Sequence, residues 1–107
     1  SYYYSWGGNG PYGYDCSGFT QHLYSTYLGI DLPRNSEAQA SYMAAYKIPV
    51  SQAQPGDLLW HKGHVGIYYG NGQSVEASSP SSGICFQNVS YMEYTYAYSL
   101  SRYFADH

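Results

Sequence analysis

Residues 15–29 read DCSGFTQHLYSTYLG, and the fold class turns on this stretch. Counting from Cys16, the packing-competent residues Phe19, Thr20, Leu23 and Tyr27 follow at offsets of 3, 4, 7 and 11, which is one face of an α-helix. Asp15 supplies an N-cap and Gly29 a stop, so the spacing predicts a helix of about three turns with Cys16 in its first turn. That position sets the thiol beside unpaired amide donors and the positive end of the helix dipole.

Upstream, residues 1–14 mix aromatics with Gly, Asn and Pro, a composition that predicts an irregular leading loop. Downstream, the Ala, Gln, Met and Glu content of residues 36–46 predicts a shorter helix, after Pro33 and with Asn35 or Ser36 as cap. Residues 48–54 read as a connector. Pro55-Gly56-Asp57 is a turn, and the apolar runs 58–61, 64–69, 73–77 and 83–89, separated by Gly and Asn, predict an antiparallel meander. Residues 94–104 alternate enough to supply a last strand. Helices first and strands after them give an α+β layout.

At 107 residues the chain fits one domain, 1–107, with a single catalytic unit as the most to expect. Four basic against seven acidic residues, a formal charge of -3, offer no positive surface for nucleic acid or anionic lipid. No apolar run approaches the roughly 20 residues that span a bilayer, so no membrane insertion is expected. Tyrosine is the outlier, with 16 copies; its ring packs while its hydroxyl stays wet, which suits glycan or peptide contact as well as ordinary half-buried packing. Two cysteines do not decide the redox compartment. Cys85, in a strand-like context, reads as a buried free thiol acting as a small hydrophobe.

Cys16 has the more pointed setting. A cysteine nucleophile works as thiolate, which a helix N-terminus favours, and it needs an imidazole to carry protons and a third group to hold that imidazole. His22 lies roughly 240° around the helix from Cys16, and His107 is terminal. His61 and His64 flank the Lys62-Gly63 turn. Strand alternation puts Val65 and Ile67 on one face and His64, Gly66 and Tyr68 on the other, so His64 points away from the apolar layer with a glycine beside it. His64 is therefore the candidate base. Glu76, on the next strand beyond Gly70-Asn71-Gly72, is the candidate orienting group. A two-residue Asn-Gly turn would pair Glu76 with Ile67 on the wrong face, whereas a three-residue loop with a bulge pairs it with Gly66, diagonal to His64. The loop is expected to take the second form.

The segments YSWGG (4–8), DCSGF (15–19), LPRNS (32–36), PGDLLW (55–60) and HVGIYYGNG (64–72), in that order, resemble the NlpC/P60 cysteine peptidases. The resemblance implies a reduced papain-like α+β fold, an active-site helix packed on an antiparallel sheet of about five strands. It implies hydrolysis of the bond between γ-linked D-glutamate and the diamino acid, diaminopimelate or lysine, of peptidoglycan stem peptides. Cys16 matches the nucleophile, His64 the base and Glu76 the third polar position, where many members carry histidine and others Asn or Gln. Tyr4 matches a tyrosine that faces the oxyanion with the Cys16 amide, and Asp15 and Ser17 match a receptor for the free amine of the stem's L-alanine; capping alone would also account for Asp15. No metal or organic cofactor is implied. The family's helix before YSWGG has no counterpart here, so the chain reads either as a monomeric domain excised from a longer secreted or cell-wall-associated protein or as an abbreviated member. An N-acetylmuramoyl-L-alanine amidase or acyltransferase with the same Cys-His pair, and a catalytically silent wall-binding module, remain open alternatives.

Overall fold

The computed structural model describes residues 15–79 and 83–107. The reading of residues 1–14 as a loop falls outside them.

Asp15 caps the first helix, α1 (Cys16–Leu23), by accepting from the Gly18 amide at 2.7 Å. The helix then widens into a π-helical turn, Tyr24–Leu28, and ends at Gly29 in the left-handed conformation, φ 69°. The expected cap and stop both hold, but the periodicity does not run through. The extra residue of the π turn advances the packing face by one position, so Leu28 packs against the core while Tyr27 is 70% exposed. Tyr24 is buried there, its hydroxyl donating to the Gly56 carbonyl at 2.7 Å.

Asn35 caps α2 (Ser36–Tyr42), accepting from the Ala38 amide at 2.8 Å, and a 3₁₀ turn, Ala44–Tyr46, completes the second predicted helix. The connector that follows carries structure of its own: a two-residue strand β1 (Lys47–Ile48) and a 3₁₀ turn, Val50–Gln52. The four predicted runs are β2 (Leu58–His61), β3 (His64–Gly70), β4 (Gln73–Ser79) and β5 (Gly83–Asn88).

The C-terminal reading needs correction. After a short helix α3 (Val89–Met92), only Tyr96–Tyr98 form a strand, β6, and Leu100–Asp106 form α4. Ser99 ends the strand because its hydroxyl accepts from the Arg102 amide at 3.2 Å, an N-cap that the alternating tyrosines concealed. Among the described residues the sheet thus has six strands, ordered β1-β6-β2-β3-β4-β5 and antiparallel throughout, with β6 and β1 extending the meander on the β2 side. The architecture is α+β.

Apolar residues fill both faces of this sheet. Val65, Ile67 and Leu58 pack with Tyr24, Ile30 and Met43 on one side, and Leu59, Ala97 and Tyr94 with Ile48 and Ala53 on the other. Each large side chain removed from water contributes roughly 1.5–3 kcal/mol. Buried Asp57 ties the turn before β2 to α4, accepting from the amides of Gln54 and Leu100, each at 2.9 Å. Cys85 forms no disulfide among the described residues and is half-buried on β5, where Gln87 Nε2 donates to its sulfur at 3.4 Å.

Candidate active site

Three elements converge on one histidine. α1 presents Cys16 from its first turn, β3 begins at His64, and β4 carries Glu76. Because His64 is the first residue of its strand, its ring stands at the sheet end, where Nε2 lies 2.9 Å from Oε1 of Glu76 and the Cys16 thiol is close enough to act on its protonation. With Nε2 committed to Glu76, Nδ1 is the nitrogen available to the thiol.

The pairing frame that permits this is the expected one, reached by a different turn. Ile67 opposes Val75 and Tyr68 opposes Ser74, a register that carries on to Gly66 and Glu76. The loop itself is a two-residue Asn71-Gly72 turn, both at positive φ (53° and 73°), closed by Gly70 and Gln73. A bulge between Tyr68 and Gly70 then shifts the register by one residue. The bulge therefore does what the three-residue loop was expected to do.

His61 faces His64 directly across β2 and β3, with ring centroids 5.3 Å apart, but its Nδ1 lies 3.0 Å from the Lys62 carbonyl. His22 lines a hollow of about 430 Å³ with Gln21, Ser25, Asp31 and Leu32, none of them a predicted site residue.

Burial by itself would disfavour the charged imidazole of His64. The hydrogen bonds and negative charges of Cys16 and Glu76 outweigh it and raise the histidine to about 9. Burial likewise opposes a charged Glu76, yet hydrogen bonds from His64, Ser74 and Tyr94 bring its carboxyl below the ordinary value. The arrangement stores a proton on His64 beside the Glu76 carboxylate and can deliver it to a leaving group.

Asp15 and Ser17 sit together at the α1 N-terminus, joined by a cation that sequence reasoning did not single out. Arg34 donates from Nη1 to Ser17 Oγ at 2.9 Å and from Nη2 to Asp15 Oδ2 at 3.1 Å. Its Nη1 also lies 3.1 Å from Asp15 Oδ1. Asp15 thus caps the helix and holds an ion pair at once. Tyr4 lies outside the described residues.

Other supports were also missed. Fully buried Gln39 donates from Nε2 to the carbonyls of Ser17 and Pro33, each at 2.9 Å, and accepts from Thr20 Oγ1 at 2.6 Å, fixing the first turns of α1. Glu37 accepts from Trp60 Nε1 at 3.1 Å and from the Gly63 amide at 2.9 Å, bracing the turn before His64 against α2. Arg34 lay within a quoted motif, whereas Gln39 and Glu37 carried only a helix-propensity signal.

Comparison with known proteins identifies the family and supports the fold. The model of the NlpC/P60 family matches residues 1–103. A probable endopeptidase p60 from Listeria seeligeri is 47% identical over 91 residues, 80% of this chain and 16% of the relative. Protein P54 from Enterococcus faecium is 39% identical over 102 residues, 91% of this chain and 19% of that protein. The chain therefore spans under a fifth of the length of these two relatives. Among solved structures, the NlpC/p60 domain of the peptidoglycan hydrolase SagA superposes with a TM-score of 0.81 at 39% identity, covering 91% of this chain and 86% of that one. The peptidoglycan hydrolase RipB from Mycobacterium tuberculosis superposes at 0.71 with 31% identity, covering 82% and 45%. With a family match over nearly its whole length and relatives this similar, the chain belongs to the NlpC/P60 family.

Proposed function

We propose that this chain is a peptidoglycan hydrolase, a cysteine endopeptidase that cuts stem peptides between γ-D-glutamate and the diamino acid, with residues 1–107 as its catalytic domain. One observation carries the reading: His64 holds the Glu76 carboxylate through Nε2 at 2.9 Å while the Cys16 thiol on α1 lies near enough to favour its charged form. The family match and the relatives named as endopeptidases and peptidoglycan hydrolases support it.

In the proposed reaction the Cys16 thiolate attacks the amide carbonyl carbon and a C–S bond forms. His64 gives its proton to the amine as the C–N bond breaks, leaving a thioester. Water then adds to the thioester while His64 takes its proton. The C–S bond breaks, and the acid and the thiolate are released. Glu76 keeps the imidazole oriented and favours its charged form. The Cys16 backbone amide and Tyr4 are the proposed oxyanion donors. Asp15 and Ser17 are the proposed receptor for the free L-alanine amine; a carboxylate oxygen has two acceptor directions, so Oδ2 of Asp15 can hold Arg34 and a substrate ammonium together. No metal or organic cofactor enters this chemistry. The proposed setting is a monomer outside the cell or on its wall; no helix among the described residues is long and apolar enough to cross a membrane.

Mass spectrometry of peptidoglycan digested by the chain and by its Cys16→Ala variant tests the reading. Release of L-Ala-γ-D-Glu, lost in the variant, supports it. Cleavage of the lactyl amide would assign an amidase instead, and wall binding without turnover would assign a binding module.

A further inference from the structure

Glu76 is fully buried, and among the described residues the partners of its carboxylate are all side chains. Oε1 faces His64. Oε2 accepts from the hydroxyls of Tyr94, at 2.6 Å, and Ser74. Two hydroxyl donors on one oxygen suit a carboxylate. A protonated carboxyl has to donate, and a hydroxyl would then lose its acceptor in a site without exposure.

Tyr94 reaches this oxygen through a slot that the backbone keeps clear. A Cβ on Gly66 would stand 2.5 Å from the Tyr94 hydroxyl and 3.0 Å from Glu76 Oε2. Glu93, in the left-handed conformation at φ 54°, ends α3 immediately before Tyr94 and turns the chain back over the sheet. The tyrosine ring then stacks against His64, centroids 6.0 Å apart and planes 20° from parallel.

We propose that Tyr94 is a positioning residue of this site: its hydroxyl, together with that of Ser74, holds Glu76 as a buried carboxylate turned to Nε2 of His64, and so keeps the proton on the imidazole. The inference deepens the peptidase reading and rests on it for its catalytic meaning. The groups facing the His64–Glu76 pair are Cys16 from α1, His61 from β2, Tyr94 from the segment after α3, Ser74 on β4 and Cys85, which opposes Glu76 on β5.

The test is an NMR titration of the His64 ring in the Cys16→Ala background, which removes the Cys16 thiol from beside it, with the resonance assigned by its loss in His64→Asn. Tyr94→Phe is expected to lower the His64 midpoint by about one pH unit, because a carboxylate without that hydroxyl on Oε2 is less firmly held as an anion turned to Nε2. Ser74→Ala should lower it as well. Once Glu76 is replaced by Gln, Tyr94→Phe should move the midpoint no further, because the hydroxyl acts through the carboxylate. An unchanged midpoint in a folded Tyr94→Phe protein overturns the proposal, and so does an equal shift in the Glu76→Gln background. Should Tyr94→Phe fail to fold, Ser74→Ala decides on the same oxygen, an unchanged midpoint again overturning it. None of these readouts needs turnover, so they fail or succeed separately from the digestion test of Cys16.

Discussion

Oε1 of Glu76 sits 2.9 Å from Nε2 of His64, a bond that depends on the frame in which β3 pairs with β4. A slip of one residue would turn the carboxylate to the other face of the sheet, the side of Val65 and Ile67. The bulge between Tyr68 and Gly70 is what sets the frame. It joins a hairpin turn whose own geometry calls for one register to a site that needs another.

Glu76→Gln keeps the shape of that contact and removes its charge. With His64 raised to about 9 by Cys16 and Glu76 against the opposing effect of burial, the alkaline limb of kcat/KM is expected near that pH. The variant should move the limb down by about one unit and lower kcat/KM roughly tenfold. A pH-rate profile checks both, and an unmoved limb would count against the role assigned to Glu76.

The same pair makes stability depend on pH with a definite sign. The folded value of His64, about 9, lies above its ordinary 6.5, so its contribution is complete below 6.5 and disappears as pH rises through 9. The folded value of Glu76 lies below its ordinary 4.5, so its contribution is complete above 4.5 and is lost as pH falls further. The pair therefore stabilises most between pH 4.5 and 6.5. Unfolding free energies from urea titrations at pH 5.5 and 9.5 should differ by on the order of 2–3 kcal/mol, and the gap should shrink in His64→Asn.

Gly66→Ala inserts a methyl where the Tyr94 hydroxyl stands, 2.5 Å from the added carbon. Both partners are buried, so the clash should cost about 1–3 kcal/mol. Thermal unfolding of Gly66→Ala and of Gly66→Ala/Tyr94→Phe checks the cause. The double variant should recover part of the loss, and a double variant worse than additive would place the strain elsewhere.

Asp15→Asn and Asp15→Ala separate capping from charge. Asparagine still caps and should leave stability within about 0.5 kcal/mol, whereas alanine should cost roughly 1–2 kcal/mol. If Asp15 receives the stem's amine, both variants should raise KM about tenfold for stems with a free N-terminus and leave N-acylated stems unaffected. Equal KM changes for the two substrates would remove the carboxylate from recognition.

Much of this protein was legible in local sequence because the signals are local. Asp15 and Gly29 bracket α1 by capping chemistry that needs only neighbouring residues, and alternation from His64 selects the face its ring takes. Cys16, His64 and Glu76 could be singled out for that reason, and five ordered segments pointed to the family. What tertiary structure decided are relationships with no local signature. The π turn that replaces Tyr27 with Leu28 in the core answers to packing around Tyr24. Tyr94 is 18 residues from the carboxylate it holds, and Arg34 is 19 from Asp15. Hydrogen bonds across such separations exist only once sheet register and helix docking have brought the partners within 3 Å or so, which no periodicity along the chain encodes.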